Sequence, residues 1–115
     1  MRNLRSFLNK EVYVIIDRPL GSTHPKEKDI IYPVNYGYIP NTKSGDGEEI
    51  DVYLLGVSVP VRDFSCRVIG VIERTDDDED KLVAAPAGVS FTKEEIEKLT
   101  YFQEQFFQVN IITEV

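Results

Sequence analysis

The sequence predicts a mainly β domain that ends in one α-helix. Runs rich in β-branched and aromatic residues, each closed by Pro or Gly, fill most of the chain. A single stretch of helical period follows them, opened by a capping-box pair. The 115 residues, 42% hydrophobic, supply one packed core but not two, so residues 1–115 read as one domain. Strands followed by one late helix imply an antiparallel sheet or small barrel with the helix packed on it.

Glu11–Arg18 (EVYVIIDR) is the first predicted strand, and Pro19, Gly21 and Pro25 turn the chain after it. Residues 30–40 (IIYPVNYGYIP) hold Pro33, Gly37 and Pro40, which permit short irregular strands but no helix. Ser44, Gly45, Asp46 and Gly47 mark a turn. Beyond it Ile50, Val52 and Leu54 alternate with Asp51, Tyr53 and Leu55, which predicts a strand with an apolar face and a second face carrying Asp51. Residues 65–74 and Lys81–Ala85 form a predicted hairpin around the acidic loop Asp76, Asp77, Asp78, Glu79 and Asp80, whose ends bring carboxylates beside Lys81. Thr92 and Glu95 fit a capping box, and Ile96, Leu99, Phe102 and Phe106 share one helical face, predicting a helix over 92–107. Residues 109–115 close the chain as a strand.

Twenty acidic residues against thirteen basic ones give a formal charge of -7, which opposes a nucleic-acid backbone or an anionic membrane. No apolar run approaches the ~20 residues of a bilayer span, and the start lacks the apolar stretch of a secretory signal. The lone Cys66 cannot form an internal disulfide. The expected location is therefore the cytoplasm, with Cys66 a buried thiol in a strand.

The negative charge is concentrated at residues 46–51 and 76–80. Five like charges in succession repel unless they are solvated or neutralised by cations. A solvated hairpin tip is the default reading of such a loop, and a turn aspartate the default for Asp46. An EF-hand fails, since Lys81 falls where the turn glycine belongs and Ala87 where the bidentate glutamate belongs. Together, however, the two groups could meet one ion from two directions. All-oxygen donors suit Mg²⁺, Mn²⁺ or Ca²⁺, and no His/Cys cluster suggests zinc.

Tyr32, Pro33, Val34, Asn35, Tyr36, Gly37, Tyr38, Ile39 and Pro40, followed by Asp46, Gly47, Glu48 and Asp51, resemble the soluble inorganic pyrophosphatase family. Residues 68–71, Thr75, Asp76, the acidic loop and the run 81–86 (KLVAAP) resemble that family's second metal-binding segment, in the same order. The resemblance spans roughly the middle half of the chain. It implies the family's small mixed β-barrel, of OB-like type. It also implies Mg²⁺-dependent hydrolysis of inorganic diphosphate by metal-activated water, with Mn²⁺ a possible substitute, and a homo-oligomer. Carried over residue by residue, it makes Asp46, Asp51, Asp76 and Asp80 metal ligands, with Asp78 the alternative to Asp80. Glu48 and Asp51 become the catalytic pair, and Tyr36 and Lys81 face a phosphate-containing substrate.

Departures lie on the phosphate side. Only residues 20–31 precede the tyrosine-rich segment, where the family has a longer hairpin carrying a basic pair; His24, Lys26 and Lys28 are the available substitutes. His24 otherwise reads as a polar turn residue. The helix ends in Phe106 and Phe107 where the family commonly has Tyr-Lys, and neither ring donates a hydrogen bond. Glu48 stands where a second Asp is usual. A hydrolase of another diphosphate compound, or a cation-binding relative without turnover, is therefore the alternative expectation.

Overall fold

The computed structural model describes residues 4–44 and 47–114. Its elements are β1 (Glu11–Arg18), β2 (Asn35–Ile39), β3 (Ile50–Leu54), β4 (Asp63–Arg74), β5 (Lys81–Ala85), α1 (Lys93–Glu104) and β6 (Val109–Ile112). The strands run in the order β1-β2-β3-β5-β4-β6, and β1 also pairs with β4, closing a five-stranded barrel with β6 as an added edge. The β3–β5 pair is parallel and the others are antiparallel, so the barrel is mixed. Among the described residues no helix is long and apolar enough to cross a membrane.

Two apolar clusters hold the strands. Val14, Ile16, Val52, Leu54, Val68, Val71, Leu82 and Ala84 fill the barrel. Tyr53, Leu55, Ile72, Val83 and Ile111 form an outer cluster closed by Ile96 of α1. The face of β3 that carries Asp51 is thus not a polar face, because Tyr53 and Leu55 on it are fully buried. Period-2 reading places residues on faces but cannot say that a later helix covers the second one.

Gly37 is required by contact rather than by turn geometry: a Cβ there would collide with the Ile15 carbonyl oxygen of β1. The close approach fixes the register of β1 against β2, with Ile16 opposite Gly37 and Arg18 opposite Tyr36. Asp17 is the extra residue of the resulting bulge.

At α1, Thr92 Oγ1 accepts from the Glu95 amide at 3.1 Å while Glu95 Oε1 accepts from the Thr92 amide at 2.8 Å, the capping box the sequence predicts. The helix stops at Glu104, three residues before the predicted end. The Gln108 amide is taken by Asp76 and its carbonyl by the Thr75 amide, which turns the chain toward β6.

Candidate active site

The parallel pairing of β3 with β5 puts Val52 beside Leu82 and Tyr53 beside Val83. One step back along that register, Asp51 meets Lys81 on the outward face. Lys81 Nζ lies 2.6 Å from Asp51 Oδ2 and 3.0 Å from Glu79 Oε1, with its side chain 4% exposed. Tyr36, next to Tyr53 across β2 and β3, lies with its ring centroid 5.6 Å from the same ammonium. Burial, and next the Asp51 charge, hold the Tyr36 phenol well above its usual range, so its hydroxyl stays protonated.

Glu79 and Asp80 part company just before β5. Glu79 stands two residues from Lys81 and so falls on the same side of extended chain, while Asp80 falls on the other. Asp80 is buried and accepts from the Arg74 amide at 3.0 Å, closing the hairpin. Asp76 accepts from the Gln108 amide at 3.1 Å, tying the loop to the segment before β6. Glu79 is the member of the loop that lines the cleft. Burial, followed by its contact with Asp51, lifts its carboxyl to about 7, and Lys81 offsets only part of this.

A second buried cation stands at the end of β4. Arg74 Nε and Nη2 donate to the two oxygens of Glu104 at 2.9 and 2.7 Å, and Nη1 donates to Asp77 at 2.9 Å. The Phe107 ring lies 3.7 Å from the guanidinium carbon. Tyr53 donates to Glu104 at 2.6 Å and accepts from Gln103, whose other end accepts from Tyr32. This network joins α1 to the barrel.

Lys81, Arg74, Asp51, Glu79 and Tyr36 border one cleft of about 520 Å³. The bulge at Asp17 turns Asp17 and Arg18 into it, and the 24–27 loop adds His24 and Lys26. His24 Nδ1 accepts from the Lys26 and Glu27 amides at 3.1 Å, so the histidine shapes a turn and also lines the cleft. Burial raises the Asp17 carboxyl, Arg18 opposes this, and the charge of Asp51 adds a smaller upward push.

Residues 11–111 match the family model described as inorganic pyrophosphatase. The chain belongs to the inorganic pyrophosphatase family. Named inorganic pyrophosphatases similar to it include that of Aquifex pyrophilus, 32% identical over 96 residues, covering 67% of this chain and 54% of the relative. That of Rickettsia typhi is 33% identical over 112 residues, covering 79% of this chain and 63% of the relative. The chain thus spans between about half and two thirds of the length of these curated relatives. Among solved structures, the inorganic pyrophosphatase of Ehrlichia chaffeensis aligns with a TM-score of 0.68 at 25% identity, covering 90% of this chain and 85% of that one. The Neisseria gonorrhoeae enzyme aligns at 0.62 and 27%, covering 87% and 79%. The mixed barrel is the fold of this family.

Of the residues the family resemblance singled out, Asp51, Lys81 and Tyr36 come together. Asp46 lies outside the described residues. Glu48 is exposed and, with Asp76 and Asp80, is not among the residues lining the cleft. Among the described residues, no three His, Cys, Asp or Glu side chains are arranged to hold a metal ion by themselves. Sequence reading missed Glu79, Asp17, Arg74 and Glu104. The two-residue spacing from Lys81 could have selected Glu79 over Asp80. Nothing local marks Arg74 and Glu104, which are thirty residues apart.

Proposed function

We propose that this chain hydrolyses a diphosphate anhydride with the help of a divalent cation, Mg²⁺ first and Mn²⁺ as a substitute. The observation that carries the reading is the convergence of Asp51, Glu79, Lys81 and Tyr36 on one cleft in a chain of this family.

The donor chemistry fits such a cation. Asp51 and Glu79 bring two carboxylates to a single ammonium, Asp17 borders the same cleft, and all are hard oxygen donors of the kind Mg²⁺ takes. Asp51 and Asp17, which border one cleft, would hold the ion, and the family resemblance adds Asp46 to them, while Asp76 and Asp80 accept backbone amides that keep the loop in shape. When bound, it supplies positive charge that makes water more acidic and offsets charge on phosphate oxygens. Glu79, with its carboxyl near neutrality, takes the proton of the attacking water. Glu48, exposed, passes it to solvent. Lys81 then compensates the charge that gathers on the departing phosphate, and the Tyr36 hydroxyl donates to a phosphate oxygen.

The test is phosphate release from inorganic diphosphate and a panel of diphosphate compounds. Turnover should require Mg²⁺ and fall at least about a hundredfold in Asp51→Asn, a cost of roughly 2.7 kcal/mol in the transition state. Wild-type turnover in a folded Asp51→Asn protein overturns the reading. The second reading, a cation-binding relative without turnover, draws on Arg74, which Glu104 and Asp77 already engage. It predicts calorimetric Mg²⁺ binding with no hydrolysis of any compound in the panel.

A further inference from the structure

Strand β1 reaches the cleft through its single irregularity. In regular extended chain Arg18 would follow Ile16, two residues earlier, into the apolar barrel, where a guanidinium finds no partner. The bulge at Asp17 shifts the register by one residue, so Arg18 stands opposite Tyr36, and cross-strand partners share a face of the sheet. Arg18 and Lys81 thereby enter one cleft from β1 and β5, with β2 and β3 between them. Three interstrand steps of about 4.8 Å separate those backbones by roughly 14 Å, a span that two long side chains reaching inward can close around two linked phosphates.

The cations of the cleft are not equally engaged. Arg74 makes three charge-assisted hydrogen bonds to Glu104 and Asp77, and Lys81 meets two carboxylates within 3.0 Å. Arg18 Nη1 lies 3.4 Å from Asp17 Oδ2, longer than a charge-assisted hydrogen bond, and with side chains 35% and 47% exposed the pair holds weakly. Among the described residues, Arg18 Nε, screened from solvent, has no hydrogen-bond partner. Burial raises the Tyr32 phenol and Arg18 draws it back, so the guanidinium also acts on the hydroxyl that donates to Gln103. His24 has its Nδ1 occupied by two backbone amides, and Lys26 stands on the exposed rim.

We propose that Arg18 binds the substrate phosphate that lies away from Lys81, exchanging its long contact with Asp17 for two phosphate oxygens and leaving Asp17 to the cation. The planar fork of a guanidinium fits two oxygens of one phosphate, which an ammonium does not. The inference rests on the diphosphatase reading and names the residue that holds the anion in it. Positive charge on this side of the cleft comes from the bulged end of β1, not from His24, Lys26 or Lys28 of the short 20–31 segment. Held at both ends, from either side of the strand that carries Tyr36, the diphosphate keeps one orientation toward the attacking water.

Binding and turnover are measured separately. By calorimetry with Mg²⁺ present, Arg18→Met, which keeps the stem and removes the guanidinium, should bind methylene diphosphonate at least about tenfold more weakly than wild type. Arg18→Lys, which returns the charge without the fork, should recover part of that loss. Mg²⁺ alone should bind Arg18→Met no more weakly than wild type. Wild-type affinity for the analogue in folded Arg18→Met overturns the inference, as does a larger loss in Lys26→Met. An equal loss of Mg²⁺ affinity also overturns it, since Arg18 would then act on the carboxylates rather than on phosphate. In turnover, kcat/KM of Arg18→Met for inorganic diphosphate should fall at least about tenfold, mostly through KM. An unchanged KM in the folded variant overturns the inference and leaves the diphosphatase reading standing. Absence of phosphate release from wild type overturns that reading, and the analogue's affinity then still decides the role of Arg18.

Discussion

Lys81 and Arg74 are both nearly fully buried cations bordering one cleft, yet their surroundings differ. Arg74 is held by a bidentate pair with Glu104, a carboxylate whose side chain is 3% exposed, and is covered by the Phe107 ring. Its guanidinium fork matches the carboxylate in plane and spacing, and a tyrosine hydroxyl completes the acceptor. Lys81 makes single contacts to Asp51 and Glu79, which are 27% and 16% exposed and too many for one positive charge. The first arrangement is saturated and holds the helix. The second is electrostatically incomplete and open to a cation, a proton or a phosphate.

The saturated side should dominate stability. Glu104→Ala leaves a buried guanidinium and the Tyr53 hydroxyl without their main acceptor, and a loss of about 3–5 kcal/mol is expected in urea unfolding. Glu104→Gln keeps an acceptor and should lose less. A loss below about 1 kcal/mol in Glu104→Ala would show that the pair is not the tie between α1 and the barrel.

Asp80 tests the border between the two regions. Removing it in Asp80→Ala strands the buried Arg74 amide, and about 1–3 kcal/mol of stability should go with it. Turnover per folded molecule should change by less than about threefold. Collapse of Mg²⁺ affinity at unchanged stability would instead return Asp80 to the ligand role that the sequence resemblance gave it.

That contrast also marks what was legible in the sequence. β1 and β5 have the predicted bounds because β-branched runs end at Pro and at the acidic loop, and the capping box fixed the start of α1. The parallel β3–β5 pairing and the barrel closure by β1–β4 depend on long-range contacts that local pattern does not carry. For the site, the motif identified Asp51, Tyr36 and Lys81 as candidates, and the register explains why they converge. The loop assignment depended on where a length gap was placed in a run of five carboxylates, which composition alone cannot decide. Arg74 and Glu104 escaped notice because a buried ion pair between a strand end and a helix end has no sequence signature.

On the open side, Lys81→Met keeps most of the stem's packing and removes the ammonium. The variant should fold, bind Mg²⁺ and lose at least about tenfold in turnover, roughly 1.4 kcal/mol. Relief of carboxylate repulsion alone would alter stability without altering turnover, so wild-type turnover in the folded variant would confine Lys81 to that structural role.

The smallest effect is a pH dependence, and it isolates Glu79. Burial and the neighbouring Asp51 raise its carboxyl in the folded protein from an ordinary value near 4.5 to about 7. Between these values the folded state binds more protons than the unfolded state, so stability falls as pH rises. The contribution is fully present below about pH 4.5 and is lost as pH passes through about 7. Asp17, raised chiefly by burial, acts with the same sign, whereas Asp77, lowered by Arg74 against a desolvation effect that raises it, acts with the opposite sign below its ordinary 3.8. Across pH 5 to 8 the Glu79→Gln variant isolates the share of the slope that belongs to Glu79. Metal-free protein should show Tm declining across this range, and Glu79→Gln, which cannot ionise, should flatten the decline. Added Mg²⁺ should have the opposite trend, stabilising more at pH 8 than at pH 5, because the ionised carboxylates favour the cation and binding stabilises the folded state by mass action. If wild type and Glu79→Gln share one Tm profile in both conditions, Glu79 does not hold a proton at the site, and the acid-base role falls to Glu48 or Asp51.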